Sequence, residues 1–165
     1  MRHLLIGILA AIMLCTSAAA QVQKGDKEVQ FLASIISVES ITIFTAMFSY
    51  GVMVTPKLEL GVGPMISHIS VYFFDDTRFS MAFFGRYNFS VQTKTVPYVS
   101  GQWYQFDFAP DEPFGFFDYS YFQVGAGVKF FVNPHVAYDF SGNLGFALGG
   151  GTGVTTLMGG LSYFF

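Results

Sequence analysis

The stretch Leu157 to Phe165 alternates with a period of two. Phe165, Tyr163, Leu161, Gly159 and Leu157 fall on one parity, and Phe164, Ser162, Gly160 and Met158 on the other. A strand sends successive side chains to opposite faces, so this stretch has one aromatic-aliphatic face and one smaller, mixed face. Similar stretches of about ten residues, the length a tilted strand needs to cross a bilayer, recur along the chain. Eight strands are predicted: Lys27–Ser37, Ile41–Val54, Leu58–Ser67, Phe79–Phe89, Val96–Phe106, Tyr119–Phe131, Val136–Phe146 and Gly153–Phe165. The sixth is the clearest, with Phe122, Val124, Ala126, Val128 and Phe130 alternating with Gln123, Gly125, Gly127 and Lys129. In the third, Leu58, Leu60, Val62, Pro64 and Ile66 share a face.

Composition narrows the solvent of these strands. Hydrophobic residues make up 52% of the chain and charged residues only 12%, against about 25% charged in ordinary soluble domains. Past residue 20, no segment offers the run of about 20 apolar residues that a membrane helix needs. The nearest, Ala33–Val54, contains Glu39 and several Ser and Thr. That leaves an apolar soluble β-protein or a membrane barrel. In hydrocarbon every backbone amide must be paired internally, which a closed barrel achieves. The expected fold is therefore all-β: an eight-stranded antiparallel up-and-down transmembrane β-barrel. The net charge of −3, without basic runs, gives no footprint for nucleic acid.

The N-terminus reads as a processing segment. Arg2 and His3 precede an apolar run from Leu4 to Leu14, and Ala18-Ala19-Ala20 forms a small-residue cleavage site. Residues 1–20 are expected to be a cleaved signal peptide and 21–165 one barrel domain. The only cysteine, Cys15, follows Leu14 where a lipidation signal needs a small residue, so it is expected to leave with the signal.

The connections alternate between the two ends of the strands. Thr55-Pro56-Lys57, Val91-Gln92-Thr93-Lys94 and Asn133-Pro134-His135 are short, whereas Ile69–Arg78 and Asp107–Asp118 are the longest. Val38–Ser40 and Ala147–Thr152 are the other two connections at that end. Three turns at one end and four loops at the other suit a barrel with both termini on the turn side. Pro64 and Pro97 cannot donate to a ladder and are expected to mark bulges or strand ends. Tyr50, Tyr87, Phe89, Phe131, Tyr163 and Phe165 fall near the turn end, and Phe79, Trp103, Tyr104, Tyr119 and Phe146 near the loop end, as two aromatic girdles would.

With apolar residues facing lipid, the inward parity carries Gln30, Glu59, Arg86, Gln102, Gln123, Lys129 and Asp139. Glu59, Arg86, Lys129 and Asp139 are two acids and two bases, expected as a neutral interior network with Glu59–Arg86 as a cross-strand pair. Buried ions need partners, and an eight-stranded interior has room for little besides side chains. An interior plug is preferred to a charge gate. The loop side is acidic, with Glu39, Asp75, Asp76, Asp107, Asp111, Glu112 and Asp118 against Arg78. Solvated loop charge is the plain reading. Divalent cations at Asp75-Asp76 or Asp111-Glu112 are the other, although the spacing matches no calcium-loop motif. No metal or cofactor is expected. The segment Phe106–Phe117 mixes prolines with phenylalanines, suiting either a lipid interface or a partner surface. Gly149-Gly150-Gly151-Thr152-Gly153 lacks the Lys-Ser or Lys-Thr of a phosphate loop.

The terminal strand Leu157, Gly159, Leu161, Tyr163 and Phe165 resembles the signal by which outer-membrane barrels are handed to their assembly machinery. Together with Leu58-Glu59-Leu60-Gly61-Val62-Gly63 and Gly85-Arg86-Tyr87-Asn88-Phe89, it makes the chain similar to the small eight-stranded outer-membrane barrel family of the OmpA transmembrane domain and OmpX. The resemblance implies residence in the outer membrane of a Gram-negative bacterium with periplasmic termini. It also implies contact with lipid, lipopolysaccharide and the barrel-assembly machinery. The expected role is structural or surface-interaction, adhesion-like and non-catalytic, with an extracellular ligand possible at 69–78 and 107–118. A narrow passive channel is the second reading. A third rests on His68-Ile69-Ser70, which resembles the His-x-Ser pair of lipid A deacylases; there the motif continues Asn-Ala on a late strand, here Val71-Tyr72 on the third. Its orienting acid would be Glu39, Asp75 or Asp76. Gly101-Gln102-Trp103 is similar to the lipocalin motif but sits mid-chain.

Overall fold

A computed structural model describes residues 22–38, 41–71, 74–106, 120–147 and 154–165. The proposed signal segment 1–20, Glu39, Tyr119, the Asp107–Asp118 loop and the Gly149–Gly153 run lie outside the described residues. Eight strands follow one another: β1 (Lys27–Val38), β2 (Ile41–Met53), β3 (Leu58–Val71), β4 (Phe74–Asn88), β5 (Thr95–Phe106), β6 (Ser120–Phe131), β7 (Val136–Ala147) and β8 (Val154–Phe164). Each pairs antiparallel with the next, and β8 returns to β1 to close the barrel.

The closure is staggered. Followed around the wall, Glu28 leads through Gly51, Gly61, Phe84, Gln102, Gln123 and Gly145 to Val154. Continued in the register of Ala33↔Gly159, Val154 would face Val38, so one circuit climbs ten residues, from 28 to 38. Such a shear tilts the strands and leaves an interior that side chains can fill.

The short turns are made by their own side chains. Thr55 Oγ1 accepts from the amides of Lys57 and Leu58 at 3.2 and 2.9 Å. Asn133 Oδ1 accepts from those of His135 and Val136 at 2.8 and 2.9 Å. These loops of Thr and Asn satisfy the backbone where the ladder ends. Lys27 and Phe165 exchange backbone hydrogen bonds of 2.9 and 3.0 Å at the same end.

The two faces differ as the period of two requires. Phe31, Ile35, Phe48, Leu60, Phe83, Phe140, Leu144 and Leu161 are exposed on the outside, while Glu28, Gln30, Glu59, Arg86, Gln102, Lys129 and Asp139 are buried inside. A wall apolar outside and polar inside is built for hydrocarbon. Of the turn-end aromatics, Tyr50, Tyr87, Phe89, Tyr163 and Phe165 are exposed, and Tyr163 stacks on Phe165 at 5.9 Å. Phe79 and Phe146 are exposed toward the loop end, and Trp103 stacks on Phe83 at 5.6 Å. Phe131 and Tyr104 do not belong to the girdles. Both sit on the inward parity of their strands and are buried in the interior.

Two further expectations change. Ile69–Arg78 is not a long loop: β3 continues to Val71 and β4 begins at Phe74, paired from Ser67↔Arg78 to Val71↔Phe74. The extension is rich in Ser, Thr, Asp and His, so it lacks the apolar–polar contrast that reveals a half-buried strand. Nor do the prolines make bulges. The β2–β3 register is the same at Met47↔Met65 and Tyr50↔Val62, on either side of Pro64. Pro97 stays in register with Val128, and its carbonyl accepts the Phe89 amide at 2.9 Å. A proline withholds one donor without displacing its neighbours. Beside Pro64, Gly63 lets the backbones close up: a Cβ there would lie 2.6 Å from Ser49 Cα.

Candidate functional site: the barrel interior

Three layers fill the described interior. Next to the short turns lies an apolar layer of Val22, Met53, Val96, Phe131, Ala137 and Phe164, with Phe131 and Phe164 rings 5.1 Å apart. Further along the strands comes a second apolar layer of Leu32, Met47, Met65, Ala82, Tyr104 and Met158, with Tyr121 packed against it. Between them sits the charged layer, where Glu28, Glu59, Arg86, Lys129 and Asp139 are each at most 2% exposed.

Glu59 and Arg86 are direct register partners on β3 and β4, and Arg86 Nη1 donates to Glu59 Oε2 at 2.9 Å. The same nitrogen reaches Glu28 Oε2 at 3.3 Å. Lys129 Nζ is bonded to Glu28 Oε2 and lies 3.5 Å from Glu59 Oε2. Each of these two acids is thus shared by both bases, a ring and not a set of pairs. Asp139, although opposite Lys129 in register, is held by neutral donors: Tyr98 OH at 2.6 Å and Gln30 Nε2 at 2.6 Å. Gln30 joins the two halves, because its Oε1 accepts from Arg86 Nη2 at 2.9 Å. The Arg86 guanidinium lies 4.7 Å from the Tyr98 ring centre, and Lys129 Nζ 5.0 Å from that of Phe164.

Glu28 is the residue that sequence reading left out. It shares the parity of Gln30 two positions on, which was signal enough, but it stands at a strand end beside Lys27. With it the layer holds three acids against two bases, so the balance is not two against two. Gln123 and Gln102 are buried nearer the second apolar layer, where Gln102 Oε1 accepts from Tyr104 OH. Inward glycines make space for the large neighbours: Gly51 faces the Glu59 carboxylate and Gly127 the Tyr98 phenol.

On the outer wall, Leu157, Leu161, Tyr163 and Phe165 are exposed with Gly159 among them, while Met158, Ser162 and Phe164 turn inward. His68 Nδ1 is hydrogen-bonded to Thr77 Oγ1 at 2.8 Å, and Ser70 lies opposite Asp75 in register. Among the described residues no three His, Cys, Asp or Glu side chains are grouped to hold a metal ion.

No family model matches the chain, and no curated protein matches it. Solved structures do. The N-terminal β-barrel domain of Pseudomonas aeruginosa OprF aligns with a TM-score of 0.61 at 16% identity, covering 87% of this chain and 98% of that one. A de novo designed transmembrane β-barrel aligns with a TM-score of 0.58 at 16% identity, again over 87% and 98%. The chain has the fold of a transmembrane β-barrel. The outer membrane protein OprG of Pseudomonas aeruginosa is also similar, with a TM-score of 0.53 at 11% identity over 88% of this chain and 99% of that one. In this barrel, then, the exposed Phe, Leu and Ile belt is the lipid face and the charge ring lies inside the wall.

Proposed function

We propose that the chain is an integral outer-membrane protein of a Gram-negative envelope, working as a structural or surface-interaction barrel without catalysis. The filled interior carries this reading. Among the described residues, a charge ring at most 2% exposed lies between two apolar layers, which favours a plug over a passive channel. The exposed stripe of Leu157, Leu161, Tyr163 and Phe165 is what an assembly machinery would read as the chain arrives from the periplasm, residues 1–20 removed. The deacylase reading is weakened because His68 Nδ1, the nitrogen an orienting carboxylate would hold, is bonded instead to the neutral Thr77 hydroxyl. Reconstitution in a planar bilayer tests the plug: no unitary conductance above the lipid baseline is expected. Discrete ohmic steps, abolished by Arg86→Met, would replace the plug with a channel.

A further inference from the structure

The turn end of the barrel repeats one arrangement. Lys27 opens β1, and Lys57, Lys94 and His135 each stand one residue before β3, β5 and β7. A basic side chain therefore heads every odd strand. Each is pinned by its backbone to the neighbouring even strand. The carbonyls of Lys57, Lys94 and His135 accept from the amides of Asn88, Phe131 and Phe164 at 2.7, 2.8 and 2.7 Å, and that of Lys27 from Phe165 at 3.0 Å. Odd and even strands alternate around the closed wall, so these residues are spread around the whole rim at the level where the ladders end. Lys27, Lys57 and His135 are exposed and Lys94 is half-buried, and exposed Lys24 adds a charge on the segment leading into β1.

Acids do not offset this rim. Among the described residues, the acids at the turn end are Asp26, whose Oδ2 accepts the Gln23 amide at 2.7 Å, and Glu28, which is buried in the ring inside. In sequence, the connections and strand ends on the opposite side carry Glu39, Asp75, Asp76, Asp107, Asp111, Glu112 and Asp118 against Arg78. The rim shares its level with the exposed aromatics Tyr50, Tyr87, Phe89, Tyr163 and Phe165, and Lys27 Nζ lies 5.9 Å from the Phe165 ring centre. Such a girdle marks the headgroup layer of a bilayer. Lysine stems are long enough to carry their ammonium groups into that layer, where the anions are lipid phosphates.

We infer that the turn-end rim is a docking surface for anionic phospholipid, with phosphatidylglycerol as the simplest case, gathered at this end of the barrel and not at the other. Lys27, Lys57 and Lys94 attract the charged headgroups, and the acidic loop end repels them. The rim requires the transmembrane barrel alone, so a conducting interior would leave it standing.

The test uses the protein's one tryptophan, Trp103, which reports the lipids toward the loop end. Trp103→Phe with Tyr87→Trp moves the reporter to the turn end, where Tyr87 is the register partner of Leu58, next to Lys57. Both proteins are reconstituted in phosphatidylcholine vesicles, and the indole is quenched by brominated phosphatidylglycerol or brominated phosphatidylcholine. At position 87 phosphatidylglycerol should be preferred about fivefold, the effect of about one lysine near a charged surface, and at Trp103 not at all. Lys27→Gln, Lys57→Gln and Lys94→Gln together should bring the ratio at position 87 to about one. Salt at about 1 M, which screens charges beyond about 3 Å, should do the same. Equal ratios at the two positions, or a preference at position 87 that survives the lysine changes or the salt, overturn the docking surface. Quenching by neither lipid at either position removes the barrel from the bilayer, and the rim's ligand with it. If the lysine variant gives no compact unboiled gel band, the salt series on the folded protein decides by the same outcomes.

Discussion

The turn-side and loop-side halves of this barrel are closed by the same two strands, and they differ in kind. In the turn-side half, β1 and β8 are zipped beside a dense ion-pair ring. Gly160 brings the backbones so close that a Cβ there would lie 2.9 Å from Leu32 Cα. In the loop-side half the β1–β8 ladder has ended at Ala33↔Gly159 and the lining turns to methionine, while unpartnered buried polar atoms occur in both halves, Glu28 Oε1, Glu59 Oε1 and Arg86 Nε in the ring and Ser80 Oγ, Gln123 Oε1 and Thr156 Oγ1 beyond it. The difference teaches that the ion-pair ring and the closing β1–β8 ladder sit in the same half, where each depends on the other.

The comparison breaks most severely at Gly160. Gly160→Val drives a side chain into the β1 backbone, and overpacking against backbone is expected to cost more than about 3 kcal/mol, with loss of the compact unboiled gel band. Next comes Arg86→Met, which strands the carboxylates of Glu28 and Glu59. Equilibrium urea unfolding in vesicles should show a loss of about 3–5 kcal/mol, the usual effect of removing one member of a buried ion set. Glu28→Gln sharpens the point from the other side. It removes one acid from a layer with three acids and two bases and keeps a polar group at hydrogen-bonding distance, so unfolding should shift by no more than about 1 kcal/mol. Equal damage from Glu28→Gln and Arg86→Met would mean the ring tolerates no loss of acid. The smallest effect belongs to the loop-side half: Thr156→Val deletes a hydroxyl that bonds nothing, and should be neutral or stabilising within about 1 kcal/mol.

Much of the wall was legible in the sequence because lipid outside and polar groups inside enforce a strict period of two. Phe122 to Phe130 shows it without ambiguity, and the same parity sends Arg86, Lys129 and Asp139 inward. The signal fails where one of its two solvents is missing. From Ile69 to Arg78 both faces carry polar residues, so a continuing hairpin looks like a loop. Phe131 and Tyr104 look like girdle residues because an aromatic ring suits a lipid interface and a barrel plug equally well. Sharing of Glu28 and Glu59 between Arg86 and Lys129 needs the register of strands far apart in sequence. The end of the β1–β8 ladder at Ala33↔Gly159 is harder still, since closure depends on the stagger accumulated around the whole wall and no local pattern records it.

The central claim, a closed barrel embedded in lipid, is tested most directly by gel mobility of the full chain in outer-membrane fractions, run in SDS with and without boiling. A filled barrel with complete turn-side ladders should stay folded in cold detergent and migrate fast, then slow on boiling. Recovery in the soluble periplasm, with one mobility at both temperatures, would contradict the lipid-facing assignment of Phe31, Phe83 and Leu161 and with it the whole account of the wall.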